Sequence, residues 1–338
     1  MHRLEVKSEN KKSEIVFGQY DIISQKVEIP DDAIFITDDN LAKIYGGFLN
    51  DKKLIVIEHG DKNKNLSTMD SIYEQLIGLR ADRKSFIVGF GGGMVTDIAG
   101  FAASTFMRGI RFGFIPTSLL AMVDASIGGK NGVNYHRFKN MIGTFNQPEF
   151  VLIDSSFLKT LPDEEYFSGM GEALKHFLID DKKQFYAFLE KPKAYLNKEN
   201  VPDKFLFNQA KVKVDIVNRD VKESGERKKL NFGHTFGHAI EKLSGIKHGY
   251  SVSIGMVIAA KISYKLGLLS TNEVNDIIAS LKSAGLPTET HISKDNIIDA
   301  MHKDKKRAGD KIDFIALESI GKAKIVPMKI SGLEELFK

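Results

Sequence analysis

Six short β-branched and aromatic runs punctuate the first 155 residues: Glu14 to Phe17, Ala33 to Thr37, Lys53 to Glu58, Ser85 to Phe90, Arg111 to Ile115 and Phe150 to Ile153. Turn or helical segments separate them, the pattern of an α/β layer around a mostly parallel sheet. Between the third and fourth runs, Ile72, Leu76 and Leu79 recur at i, i+4 and i+7 behind a Ser67-x-x-Asp70 capping pattern, so strand, helix and strand follow directly. After about residue 160 the period becomes 3.6, over 163–179, 203–217, 233–244, 251–267, 271–284 and 293–303. Only Asp313 to Leu317 and Ala323 to Pro327 read as extended there. The expected organisation is an α/β domain over residues 1–160 and a mainly α-helical domain over 161–338, with a cleft between them.

With no cysteine among 338 residues, a disulfide framework, a thiolate zinc site, an iron–sulfur cluster and a cysteine nucleophile are all excluded. Any metal must sit on His, Asp or Glu. Lys and Arg number 48 against 44 Asp and Glu, a net +4 too slight to mark a nucleic-acid face. The start, Met1 to Lys7, lacks the apolar run of a secretory signal, and the best apolar stretch, Val252 to Ile262, is short and broken by Ser, Gly and Lys. A soluble, cytoplasmic protein without a membrane partner is expected.

Chemistry concentrates in three places. Gly89-Phe90-Gly91-Gly92-Gly93-Met94 ends a strand and opens a small-residue helix, where backbone N–H groups can approach a pyrophosphate at the helix N-terminus. Asp38, Asn40 and the Gly60 to Lys64 segment follow two other strands, so polar groups gather at the C-terminal ends of three strands. Further on, His234 and His238 lie four apart on one helix face, and His248 can close on the same ion. Glu172, Lys175 and His176 form the third group, with Glu172 offering an oxygen ligand to a metal held by two His. The basic and amide set of Arg108, Lys130, Lys139, Asn140, Lys213, Arg227, Asn231, Lys305 and Lys306 suits a ligand carrying both a phosphate and a carboxylate. Lys213 shares a helix face with Leu206, Ala210 and Val217, and an ammonium on an apolar stripe needs a partner.

Taken in order, Gly91-Gly92-Gly93 through Asp97-Ile98-Ala99-Gly100-Phe101, Met107-Arg108-Gly109, Pro116-Thr117-Ser118-Leu119-Leu120-Ala121, Val123-Asp124-Ala125-Ser126-Ile127-Gly128-Gly129-Lys130, Lys139-Asn140-Met141-Ile142-Gly143, Gly171-Glu172-Ala173-Leu174-Lys175 and Leu230-Asn231-Phe232-Gly233-His234-Thr235-Phe236-Gly237-His238 closely resemble the 3-dehydroquinate synthase family. The resemblance runs from Asp38 to Lys306. It implies an N-terminal Rossmann-like NAD-binding α/β domain, a helical metal-binding C-terminal domain and a homodimer. It also implies a phosphorus–oxygen lyase that closes 3-deoxy-D-arabino-heptulosonate 7-phosphate to 3-dehydroquinate, with NAD+ recycled rather than consumed.

Residue by residue, the resemblance assigns Glu172, His234 and His248 to Zn2+ or Co2+. It places His238 on the substrate side as an acid/base and phosphate contact, and it gives His176 no ligand position. Lys130, Lys175, Lys213, Arg227 and Asn231 correspond to further catalytic positions, and Arg108, Asp124, Asn140 and Lys306 to substrate contacts. Asp38, Asn40, Asp61, Lys64, Gly92, Gly93, Asp97, Thr117, Ser118, Lys130, Lys139 and Thr160 correspond to the cofactor site. After His248-Gly249 the chain continues Tyr250-Ser251-Val252 where the family often has Glu-Ala-Val.

Overall fold

The structure, a computed structural model, describes residues 1–8, 11–136, 138–305 and 311–338. Two compact units divide the chain, Met1–Leu161 with Pro202–Val221, and Pro162–Val201 with Lys222–Lys338.

In the first unit, strands β1 (His2–Ser8), β2 (Lys11–Phe17), β3 (Ile34–Asp38), β4 (Lys53–Ile57), β5 (Phe86–Gly91), β6 (Arg111–Pro116) and β9 (Phe150–Ile153) form one sheet, ordered β1-β2-β9-β6-β5-β3-β4. The β1–β2 pair is antiparallel and the other pairings are parallel. Every residue of β5 and β9 is buried, as parallel strands covered on both faces require. The chain runs from β3 outward to β4, then crosses to the other side of β3 to lay down β5. That reversal puts the ends of β3 and β5, at Asp38 and Gly91, beside the crevice where open α/β sheets take ligands.

Five helices lie among these strands: α1 (Tyr20–Ile23), α2 (Asp39–Ile44), α3 (Gly46–Leu49), α4 (Leu66–Gly78) and α5 (Gly93–Thr105). α4 corrects the expected cap. Its N-cap is Asn65, whose side chain accepts from Thr68 N–H, and it buries Met69, Ile72 and Leu76 while Leu79 is already the C-cap. A β-hairpin of β7 (Lys130–Tyr135) and β8 (Phe138–Phe145) stands as a separate two-stranded sheet. Neither it nor β1 is legible in the sequence. Both are largely polar or glycine-broken, and β1 is an edge strand with mostly exposed or half-exposed side chains.

The second unit begins with α6 (Asp163–Asp180), α7 (Lys182–Glu190) and α8 (Lys193–Leu196). The next helix, α9 (Asp203–Arg219), belongs to the first unit although its period reads like that of the helical half. Its attachment is specific: Asn218 accepts from Lys7 N–H and donates to the Glu5 carbonyl, and the Phe207 ring meets His2 and Phe17. α9 thereby covers the open edge at β1. The second unit resumes with α10 (His234–Ser244), α11 (His248–Lys265), α12 (Thr271–Ser283), α13 (Lys294–Lys305), the hairpin β10 (Lys311–Ser319) and β11 (Lys322–Lys329), and α14 (Ile330–Phe337).

α6 and α11 touch backbone to backbone. A Cβ on Gly249 would lie 1.8 Å from the Ser168 carbonyl oxygen, and one on Gly171 would lie 2.5 Å from the Gly249 carbonyl oxygen. Gly249 N–H also donates to Ser168 Oγ at 3.0 Å. The crossing sets Glu172 on α6 against His248 on α11. Among the described residues, no helix is long and apolar enough to cross a membrane.

Candidate functional site

In the first unit, Gly92 is the N-cap of α5 and Gly93 its first residue. A Cβ on Gly91 would sit 2.6 Å from Val95 Cβ, and one on Gly92 would press on Ser118 Oγ at 3.3 Å, so strand end and helix start stay bare of side chains. Unpaired backbone N–H groups at a helix start favour an anion. Thr117 is buried and donates its N–H to the Gly91 carbonyl, and Ser118 Oγ accepts from Ala121 N–H.

Five expected residues meet beside this turn. Lys64, buried, pairs with the Asp97 carboxylate and donates to Asn140 Oδ1 at 2.6 Å. Burial pushes the Asp97 carboxyl up from its ordinary range, and the Lys64 ammonium opposes that. Lys139 Nζ lies 3.3 Å from Asp61 Oδ2. Asn134, which no sequence pattern marks, joins the group: it accepts from Asn140 N–H, donates its own N–H to the Lys64 carbonyl, and reaches Asp61 with its amide.

Asp38 has a local duty as the N-cap of α2, its Oδ1 accepting from Leu41 N–H at 2.9 Å, with Asn40 in the same first turn. Burial raises its pKa. Thr160 Oγ1 lies 2.6 Å from the hydroxyl of Tyr45, whose ring packs edge-on against Phe90. Lys213 finds the partner its apolar stripe demanded, bonding to the carbonyl oxygen of Asp124 at 2.5 Å and to its carboxylate. Arg108 is exposed on a short turn where Met107 and Arg108 both take positive φ, and Lys130 opens β7 with an exposed side chain.

The second unit carries the imidazoles. The ligand atoms of Glu172, His234 and His248 all lie within 4.8 Å of one another. Glu172 is 1% exposed on α6, its Oε2 held by Lys175, and its Oε1 lies 3.5 Å from His234 Nε2 and 3.2 Å from His248 Nε2. One carboxylate oxygen and two ring nitrogens converging from three helices are a donor set that fits a divalent ion such as zinc. Burial pushes the His234 ring down to about 3, with Lys175 and the other two imidazoles adding to the effect. At neutral pH the ring is uncharged, the form that can ligate a metal. Burial alone would also lower His248, but its hydrogen bonds to Glu172 and Glu241 prevail and push it up to about 9.

His238 is exposed, its ring centroid 5.1 Å from that of His234 and 5.9 Å from that of His248, so it borders the triad without joining it. The bare spacing of His234 and His238 suggested two ligands on one face; the buried carboxylate takes that place. His176 is buried on α6. Arg227 is 2% exposed in the turn before α10, and Asn231 donates to Glu223 Oε1 at 2.8 Å. Lys306 lies outside the described residues. Sequence reasoning missed Glu223 and Glu241. Glu241 had a signal, standing seven residues after His234 on the same helix face. Glu223 had none, being placed by a turn with φ +60°.

Known proteins of similar sequence and fold identify the relatives of this chain. The N-terminal profile of 3-dehydroquinate synthase matches residues 54–168 and the C-terminal profile residues 169–307. The chain is 45% identical over 289 residues to the 3-dehydroquinate synthase of Pyrococcus abyssi, covering 85% of this chain and 84% of that one. A solved 2-deoxy-scyllo-inosose synthase, complexed with carbaglucose-6-phosphate, NAD+ and Co2+, is 26% identical with a TM-score of 0.85, covering 99% of both chains. The 2-epi-5-epi-valiolone synthase of Streptomyces hygroscopicus shares the fold, with a TM-score of 0.87 at 24% identity over 98% of this chain and 96% of that one. The chain belongs to the 3-dehydroquinate synthase family.

Proposed function

We propose that the chain closes 3-deoxy-D-arabino-heptulosonate 7-phosphate to 3-dehydroquinate with loss of phosphate, as a phosphorus–oxygen lyase using NAD+ and a divalent metal, Zn2+ or Co2+. The observation that carries the reading is the convergence of Glu172, His234 and His248 within 4.8 Å, in a chain whose relatives at 45% identity are named for this activity. Glu172, His234 and His248 would hold the metal, and Gly92, Gly93, Asp38, Asn40, Asp61, Lys64, Asp97, Thr117, Ser118, Lys130, Lys139 and Thr160 the dinucleotide. When bound, NAD+ would supply a reversible hydride acceptor, and the metal would supply Lewis acidity at the oxygen of the carbon undergoing oxidation.

The protein's own side chains do the positioning. A substrate with a phosphate and a carboxylate carries about three negative charges, which suits Arg forks and Lys point charges. Arg227, buried and planar, would clamp one anionic group, with Asn231 beside it. Lys175 keeps Glu172 turned so that Oε1 faces the two imidazoles. Lys213, anchored on Asp124, and Arg108, Lys130, Asn140 and Lys306 would contact the substrate. His238, exposed beside the triad, would pass a proton at the departing phosphate. Fixing both ends of the substrate keeps the ring closure under protein control. A homodimer belongs to this reading, supported by the exposed Tyr135, Met141 and Phe145 on the β7–β8 hairpin.

The test is to supply the heptulosonate phosphate, catalytic NAD+ and Zn2+ and follow phosphate, 3-dehydroquinate and NADH together. Equal phosphate and dehydroquinate without net NADH is the expected result. Net NADH, or no phosphate release from protein loaded with both cofactors, overturns it.

A further inference from the structure

The two imidazoles that face Glu172 are anchored differently. His234 Nδ1 lies 3.2 Å from the carbonyl oxygen of Phe232, and His248 Nδ1 lies 2.9 Å from Glu241 Oε2. A carbonyl and a carboxylate can only accept, so in each ring Nδ1 carries a proton, and Nε2, turned toward Glu172, is the nitrogen that would ligate an ion held there. A neutral main-chain group holds the first ring, whereas a carboxylate holds the second.

Glu241 reaches His248 from a different helix. His234, His238 and Glu241 stand at i, i+4 and i+7 along α10 and share one face, so the helix that opens with one imidazole grips the other near its end. The connection to α11 is only Gly245, Ile246 and Lys247, with Gly245 reversing the chain at φ +70°. So short a link leaves the His248 ring to be aimed by its contacts. Glu241, with its side chain only 12% exposed, supplies the contact opposite the metal-facing nitrogen.

We propose that Glu241 is a positioning residue of the metal centre: it selects the His248 tautomer that presents Nε2 and strengthens that ring as a donor. The proposal rests on the reading that Glu172, His234 and His248 hold a divalent ion. A carboxylate behind a ligating imidazole fixes the ring and raises its basicity, and removing such a partner lowers metal affinity 10- to 100-fold.

The experiment uses the full chain stripped by chelation, then titrated with Zn2+ against a competing chelator and with Co2+ for its visible spectrum. Wild type should bind one equivalent per chain. If it binds none, the metal-centre reading itself fails, independently of Glu241. Glu241→Gln keeps the size and an acceptor but removes the charge. It should weaken Zn2+ binding by at least about tenfold, with altered Co2+ bands and an unchanged far-ultraviolet circular dichroism spectrum. Glu241→Asp restores the charge at a shorter reach and should fall between the two. Unchanged affinity in Glu241→Gln overturns the proposal. So does weaker binding with an unchanged Co2+ spectrum, because a general loosening of the fold would then account for it. Should Glu241→Gln fail to fold, the Glu241→Asp affinity and spectrum decide by the same two criteria.

Discussion

Lys213 on α9 hydrogen-bonds Asp124 twice, at its main-chain carbonyl and at its carboxylate, across 89 positions of sequence. The lysine side chain is 7% exposed and the aspartate 19%, so the pair is largely withdrawn from water. Asp124→Asn leaves the ammonium its main-chain carbonyl but removes its counter-charge, and breaking a buried pair from one side costs up to about 3–5 kcal/mol. Lys213→Met leaves instead the more exposed carboxylate, which water reaches more readily, and should cost less. Urea unfolding of both variants checks the order, and equal losses would contradict it.

The triad makes a different prediction for neighbouring histidines. His234→Ala removes a ring nitrogen that faces Glu172 and should abolish stoichiometric metal. His238→Ala should keep the metal and lose turnover, because its ring borders the triad without contributing to it. Metal analysis of the purified variants is the check, and loss of metal from His238→Ala would reverse the two roles.

Gly171→Ala tests the helix crossing. Its Cβ would lie 2.5 Å from the Gly249 carbonyl, a main-chain atom that cannot swing aside. Overpacking of this kind costs about 1–3 kcal/mol, and α6 must back away from α11, parting Glu172 from His248. Weaker zinc binding together with a lower midpoint is expected, and unchanged zinc affinity would show that the contact does not set the ligand spacing.

Stability should also carry a pH signature at the start of α12. Ser270 and Glu273 form a reciprocal capping box, and Glu273 Oε1 additionally accepts from Ile320 N–H. Burial pulls the Glu273 carboxyl upward, but these hydrogen bonds prevail and hold it below its ordinary value. A depressed folded pKa contributes stability above the unfolded value of about 4.3, and that contribution disappears as pH falls through the folded value. Glu273→Gln should remove this slope, and Ser270→Ala should cost about 1 kcal/mol at neutral pH. Thermal melts between pH 3 and 7 measure both.

How much was legible follows from the kind of information each feature carries. The parallel strands, helices α6, α10, α11, α12 and α13 and the β10–β11 hairpin announce themselves by local periodicity, because burial on one face or two dictates which side chains the segment can have, whereas α7, α8 and α14 went unread. The glycine turn after β5 is equally local, and so is the partner that Lys213 required, though not its identity. Resemblance located Glu172, His234 and His248 as a set. By contrast, β1 and the β7–β8 hairpin are too polar or glycine-rich to show a period, and α9 carries the period of the second unit while covering the edge of the first.

The sequence by itself determined the parallel strands and longer helices, from neighbours a few positions apart, and from its composition the absence of thiolate chemistry and the residue kinds available to hold a metal. Tertiary structure alone decided that Asn134 ties Asp61 to Lys64 and Asn140 and that Glu241 grips His248. The approach of Glu172 to His248 arises where α6 and α11 cross over bare glycines. Contact there is set by close packing between distant segments, and no local pattern encodes it.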